Sequence, residues 1–433
     1  MSWAPGTNFV ERFRPHGAAA WRWLTVRRKP PEPKTGDATP IRRRPGVDFS
    51  LTGLIYCAMM MFMGLAAINS QANLLFGVFG LMIGILLISA TICRVVLLGM
   101  RIERVIPEYA AVGQSATIQY TFVNTKRIWP SLSVCLAELD GAEAFKVQPQ
   151  AYMLHAAPGK SARVPITVTP KRRGLHKLNS YQISTSFPFG FVKRAFIGKS
   201  EDTILIYPTL GAVSPRLLSM CRSAERGGAN MKPRPNGADE FYGVKEYREG
   251  ENPRWIYWKR SARTGQLVSR EMVQISPPRL LLILDNFIES PTLAQHIAVE
   301  KAIAMAASLA SRAMDSGMAV GLSAWSGEWT DITPQRGKRH CRDILAALAG
   351  LPINRTVSSN QLVEHAQGTL LEAVTPVLFT PRNVRLGLGE RVRGGMIMVA
   401  VESEEANHWF KFDPTVDFAR SMPADQVSGV IVG

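Results

Sequence analysis

Two uncharged apolar runs near the start of the chain, Leu51–Ile68 and Leu74–Cys93, limit its architecture more than any other feature. They are 18 and 20 residues long, close to the ~20 apolar residues that carry an α-helix across a bilayer core. We expect two transmembrane helices within residues 49–98, joined by the uncharged turn Asn69-Ser-Gln-Ala-Asn73. Residues 1–48 hold ten Lys or Arg against four acids, and Arg94, Arg101 and Arg104 follow the second run. The positive-inside rule then puts both termini and everything beyond the spans in the cytoplasm. Gly80 and Gly84, with Gly77 nearby, form a Gly-x-x-x-Gly that would let the second helix pack closely on the first or on another subunit.

Residues 1–48 are basic and Pro-rich without a sustained period, so we expect a disordered cytoplasmic tail, too long and polar for a signal peptide. The net charge of +17 over 433 residues invites a nucleic-acid reading. Where that charge lies matters more. The tail alone carries a net six positive charges, which membrane orientation and anionic lipid account for. No recognised nucleic-acid-binding motif is visible, so no nucleic-acid partner is expected. The five cysteines include no Cys-x-x-Cys and no histidine at metal spacing, which fits a reducing compartment.

Beyond the spans, residues 101–208 read as short strands with turn punctuation. Thr117–Val123 and Ala162–Val168 have the period of two of half-buried strands, and the stretch fits an all-β immunoglobulin- or fibronectin-like sandwich acting as a spacer or interaction module. Residues 209–237 mix arginines with Gly and Pro and read as an exposed linker. Residues 238–433 alternate strands and helices. Arg279–Asp285 is an apolar strand ending in an acid, Leu293–Asp315 an Ala-rich helix and Met318–Trp325 a strand. Two helices (His340–Ala349, Asn360–Val374) and two strands (Pro376–Phe379, Met396–Val401) follow. This is the pattern of a doubly wound α/β sheet. The stretch after Trp409 could add one short helix and one strand.

Gly243–Arg270 concentrates the unusual chemistry. Asn252 is a good N-cap, Pro253 suits the first helical position and Gly265 would end the helix. Trp255, Trp258 and Ala262 would share one face, with Arg254, Lys259, Arg260 and Arg263 on the rest. On one reading the tryptophans are core anchors and the arginines are solvated or pair with Glu246, Glu249 and Glu251. On the other, the cationic face meets an acidic partner, because Arg and Trp are over-represented at interface hot spots.

Glu246-Tyr247, Gly250, Arg254, Ile256, Trp258 and Ser261-Ala262-Arg263, preceded by Gly243, resemble the signature of the bacterial membrane proteins of domain-of-unknown-function family 58. Arg173-Gly174, Pro188-Phe189-Gly190 and Tyr207-Pro208 resemble that family's upstream turns. Lys245 departs from it, as does Glu251 or Asn252 where Asp is usual. The resemblance implies a two-pass protein of the bacterial inner membrane whose α/β region is von Willebrand factor A-like. It also implies partnership with a MoxR-type AAA+ ATPase, and possibly with a transglutaminase-like membrane protein. Such A-like domains can hold a magnesium-like ion on an Asp-x-Ser-x-Ser loop, with a Thr and a second Asp from later loops. Here the loop reads Asp285-Asn-Phe-Ile-Glu289 and lacks both serines. We therefore expect a degenerate site at Asp285 and Glu289, and no cofactor.

A membrane-anchored adaptor is the expected function, with Glu246, Tyr247, Arg254, Trp258, Ser261 and Arg263 as partner-binding or junction residues. The alternative is a metal-dependent or hydrolytic enzyme using Asp285 and Glu289, or Ser261 beside Arg263. Against it, the sequence has no Gly-x-Ser-x-Gly, His-Glu-x-x-His or P-loop. Nucleic-acid or anionic-lipid binding is a further alternative.

Overall fold

The computed structural model describes residues 42–227, 240–249, 252–273, 278–369, 374–382 and 396–421. They fall into two compact units. One draws on Met1–Glu108, Ser115–Thr169 and His176–Ile204, the other on Tyr109–Gln114, Pro170–Leu175 and Leu205–Gly433.

In the first unit a strand, β1 (Arg42–Phe49), leads into α1 (Leu51–Ser70) and α2 (Asn73–Leu97), both long and apolar enough to cross a membrane. Leu51, Phe62, Leu65, Leu74 and Leu81 stay exposed along them, as side chains facing hydrocarbon would. The helices touch through Gly64, where an added Cβ would lie 2.9 Å from the Phe79 ring, and through the Tyr56 hydroxyl, which donates to the Met82 carbonyl at 3.0 Å. Gly77, Gly80 and Gly84 face open space, so the expected packing of α2 on α1 through that motif is not how this hairpin closes.

The chain continues through β2 (Met100–Val105), β3 (Tyr109–Ala111), β4 (Ala116–Asn124), β5 (Ser131–Glu138), β6 (Gln150–Ala156), β7 (Ser161–Val168), β8 (Gly174–Thr185) and β9 (Val192–Tyr207). One sheet has the order β1-β9-β8-β5-β6, the other β2-β4-β7. Alternation on β4 buries Ile118, Tyr120 and Phe122. Arg104 joins that interior by pairing with Glu138 at 2.6 Å and Asp202 at 2.8 Å, and Glu138 also accepts from the Tyr120 hydroxyl at 2.7 Å. Residues 42–48, expected in the tail, pair antiparallel with β9, Phe49 standing opposite Val192. Residues 1–41 lie outside the described residues, and the expected disordered tail with its lipid contact falls largely there.

The second unit contains β10 (Ala212–Val213), α3 (Pro215–Gly227), β11 (Glu240–Glu246), α4 (Trp258–Thr264), β12 (Val268–Val273), β13 (Arg279–Leu284) and α5 (Leu293–Asp315). After these come β14 (Ala319–Trp325), β15 (Trp329–Gln335), α6 (Lys338–Gly350), α7 (Ser359–Thr369), β16 (Thr375–Thr380), β17 (Ile397–Ala400), α8 (Glu404–Trp409) and β18 (Phe410–Lys411). Its sheet runs β15-β14-β13-β16-β17, parallel except for the antiparallel edge strand β15. Leu281 and Ile283 of β13 pack with Leu362, Val363 and Ala366 of α7. By strand alternation Leu280, Leu282 and Leu284 face the other side, where α5 packs on β13, β14 and β16. This is a mixed α/β region with a helix on each face of the sheet.

Two sequence-based assignments change. The expected linker over 209–237 contains α3, because Leu217 and Cys221, one turn apart, are fully buried, and burial pushes the Cys221 thiol up to about 12. Tyr109–Gln114 and Pro170–Leu175, assigned to the β-rich module by their position in the chain, belong to the second unit. There β3 pairs in parallel with Leu205–Tyr207, and Arg173 is only 1% exposed.

Candidate functional site

The signature stretch folds as an antiparallel ribbon. Strand β11 pairs with β12, Glu246 opposite Val268, and the turn between them holds a 3-10 turn and α4. Asn252 caps as expected, its Oδ1 accepting from the Arg254 N–H at 3.1 Å with Pro253 in the first position. The helix breaks after Trp255 because Ile256 is drawn into a bridge with Ser269 and the Tyr257 N–H donates to the Val268 carbonyl at 2.7 Å. It restarts at Trp258 and ends at Gly265, whose φ of 70° is a left-handed cap that a Cβ would strain.

Ser261 holds this arrangement together. It is buried; its Oγ accepts from the Val268 N–H at 2.9 Å and donates to the Tyr257 carbonyl at 3.2 Å, tying α4 to β12. Its hydroxyl is engaged on backbone, and no general base is among its described partners.

The reading in which both tryptophans anchor a core does not describe this segment: Trp258 is 66% exposed and Trp255 only half-buried, while Ile256 takes the buried position. Splitting the helix rotates Trp258 outward, and Arg254, Lys259, Arg260 and Arg263 are exposed with it. Glu246 is exposed as well, and Tyr247 is half-buried with its N–H on the Leu267 carbonyl at 2.9 Å. The structure therefore divides the predicted residues. Ser261 serves the ribbon, while Trp258, Arg254 and Arg263 face outward on one short segment.

Asp285 occupies the carboxyl end of the β13 strand and is fully buried. Its Oδ2 lies 2.6 Å from the Ser359 hydroxyl and 3.0 Å from that of Thr380, and its Oδ1 accepts from the Phe287 N–H at 3.1 Å. Burial raises its pKa; those hydrogen bonds and the Arg382 charge oppose the rise. Glu289 pairs with Arg382 at 2.5 Å, and the same guanidinium stands 5.6 Å from the Phe287 ring. A magnesium-like ion needs a near-octahedral set of free oxygens. Here the Asp285 oxygens accept from two hydroxyls and a backbone N–H, and Glu289, largely exposed, pairs with Arg382, so two carboxylates so engaged do not make up the oxygen set of such an ion. Sequence reasoning named Asp285 and Glu289 but missed Ser359, which lies at the start of α7, far along the chain from Asp285. Asp331 likewise bridges the Ser323 hydroxyl and His365, at 2.7 Å each, with the carboxylate in the middle, an order different from that of a Ser-His-Asp triad.

Arg173 is the other residue whose setting the sequence hid. Its Nη2 lies 2.8 Å from Glu300 Oε1, its Nε donates to the same carboxylate, and its Nη1 donates to the carbonyls of Leu348, Ala349 and Leu351. It thus caps the carboxyl end of α6 and neutralises an acid of α5 at once.

Residues 243–375 match the family model described as Protein of unknown function DUF58. The DUF58 match begins at the ribbon's Gly243 and takes in Ser261, Asp285 and Ser359. Similarity is also found to the Uncharacterized protein YeaD of Bacillus subtilis (strain 168), 25% identical over 189 residues, which are 43% of this chain and 44% of that protein. The chain thus matches less than half the length of this relative. Among solved structures, a β-glucosidase from Listeria innocua in complex with glucose superposes over 25% of this chain and 16% of its own, with 11% identity and a TM-score of 0.16. A superposition at that level says nothing about fold or activity here.

Proposed function

We propose that the chain is a membrane-anchored adaptor that presents the Arg254, Trp258, Lys259, Arg260 and Arg263 face of its DUF58 region to an acidic surface of a MoxR-type AAA+ ATPase. The observation that carries this reading is the exposure of Trp258 among exposed cations on a segment whose backbone Ser261 fixes. A large aromatic ring kept out in water on a segment tied to the ribbon by Ser261, rimmed by arginine, has the make-up of an interface hot spot. The association of DUF58 proteins with MoxR-type ATPases supports this choice of partner class. On this reading the β-rich unit is an immunoglobulin- or fibronectin-like spacer, and the α/β region is a von Willebrand factor A-like scaffold whose Asp285 has become a buried structural acid. The spans sit in a bacterial inner membrane with both soluble units cytoplasmic. A transglutaminase-like membrane protein is a second candidate partner.

Capture of the ATPase from detergent-solubilised membranes, with and without nucleotide, tests the proposal. Wild-type protein is expected to enrich it, and Arg254→Glu with Arg263→Glu, or Trp258→Ser alone, to lose it at unchanged melting temperature. Undiminished capture by both variants would refute this docking face.

A further inference from the structure

We propose that the end of the β-rich unit from which the two spans emerge is sunk into the lipid headgroup region, with Ile128, Trp129 and Phe189 as interfacial anchors. The inference rests on reading α1 and α2 as membrane spans. It adds a second, lipid-facing surface to a protein whose adaptor role concerns a different face.

Two loops are fastened to the helix ends. In the first, the Thr125 N–H and hydroxyl both meet the Gly99 carbonyl, at 2.9 and 2.7 Å. Lys126 Nζ donates to the carbonyls of Val95 and Val96, at 2.9 and 2.8 Å, and the Ser131 hydroxyl donates to Val96 at 2.9 Å. A lysine is thus spent on the last carbonyls of α2, where the helix dipole favours a cation. In the second loop the Cys93 thiol lies 2.9 Å from the Phe187 carbonyl, the Phe191 ring stacks on Tyr56 at 4.2 Å, and the Ser50 N–H donates to Phe191 at 3.1 Å. Gly53 makes this approach possible, since a Cβ there would collide with the Phe191 carbonyl. Tyr56 lies five residues beyond the start of α1, so at ~1.5 Å per residue this loop reaches below the first turn of the span.

Both loops carry large apolar side chains that stay at least half exposed, Phe189 resting beside the Phe191 ring at 5.7 Å. Ile128 is 80% exposed, Trp129 60% and Phe189 51%. Exposed Arg94, Arg127, Lys160 and Lys193 lie on or beside the same loops and helix ends. Aromatic rings at the headgroup level and basic residues on the cytoplasmic side are what an anionic bilayer surface selects. Strand β5 leads away from this end. It begins at Ser131, bonded to α2, and Val147 follows its far end, roughly 25 Å off at ~3.3 Å per residue over its eight residues.

The test places the photo-reactive residue p-benzoylphenylalanine singly at positions 128, 129 and 189 of the full chain. Position 62, an exposed mid-span phenylalanine, and position 147, an exposed valine, are the references. Each protein is reconstituted in vesicles of phosphatidylcholine and phosphatidylglycerol, irradiated and analysed for lipid adducts by mass spectrometry. Adduct yields at 128, 129 and 189 comparable with position 62 and well above position 147 are the expected result. Yields like those at 147, or cross-links to protein in place of lipid, while position 62 still labels, would overturn the interfacial anchoring. Failure of position 62 itself would remove the two-span reading and this inference together.

Discussion

Arg173 shows how one side chain can hold a unit together without being part of any functional surface. With Glu300 it is almost completely buried, and its remaining donors are spent on the end of α6. Removing one partner of a buried pair strands the other charge, at a cost of about 3–5 kcal/mol. Arg173→Met and Glu300→Gln are therefore each expected to lower the unfolding midpoint of the full chain in detergent, with Arg173→Met plus Glu300→Met recovering much of the loss. A wild-type midpoint for Arg173→Met would contradict this. Asp285 behaves in the opposite sense, because burial raises its pKa. A raised carboxyl contributes stability that is full below its unfolded pKa, about 3.9, and lost as pH rises through the folded value. Asp285→Asn, which keeps the shape and lets both hydroxyls accept, is thus predicted to melt at or above wild type at pH 7 with a flatter pH dependence above about pH 4. Asp285→Ala strands the Phe287 N–H and should cost about 1–3 kcal/mol. Melting curves across pH decide it; an unchanged pH slope for Asp285→Asn would show that the acid is not titrating as described.

Among the elements, the signature ribbon illustrates what sequence pattern can and cannot give. Asn252, Pro253 and Gly265 act as the local rules require, but the single amphipathic helix drawn between them is two pieces, because strand β12 captures Ile256 and Tyr257. A tertiary pairing overrode the period, and that is why Trp258 points outward. Ser261→Ala is expected to destabilise the fold by about 1–3 kcal/mol through the unsatisfied Val268 N–H, whereas changes at Arg254 or Arg263 should leave thermal stability alone; equal melting for all three would remove Ser261's role. The helix Leu293–Asp315 was legible to the residue, since a long Ala-rich segment leaves little ambiguity. Edge strand β15 was not, because it mixes Trp329 and Ile332 with polar Thr, Asp and Gln and carries Pro334, a residue suited to sheet edges. Helix α3 hid its buried pair, Leu217 and Cys221, among arginines.

At the scale of the whole molecule, two apolar helices, a β-rich unit and an α/β unit were visible from hydropathy and alternation alone. What the sequence concealed was which segments belong to which unit. Tyr109–Gln114 and Pro170–Leu175 sit within the β-rich stretch of the chain but are claimed by the other unit through strand pairing and a buried ion pair, and such long-range contacts leave no periodic mark. The same limit applies to Asp285, whose partners Ser359 and Thr380 lie 74 and 95 residues away. The adaptor account stands or falls on whether the outward face of the ribbon binds. The most direct measurement is the affinity of the full chain in nanodiscs for a purified MoxR-type ATPase from the same organism, followed across salt concentrations. Saturable binding that weakens with salt and drops by tenfold or more, about 1.4 kcal/mol, in Arg254→Glu with Arg263→Glu at unchanged melting temperature is the predicted result; equal binding by wild type and variant, or none by either, would contradict it.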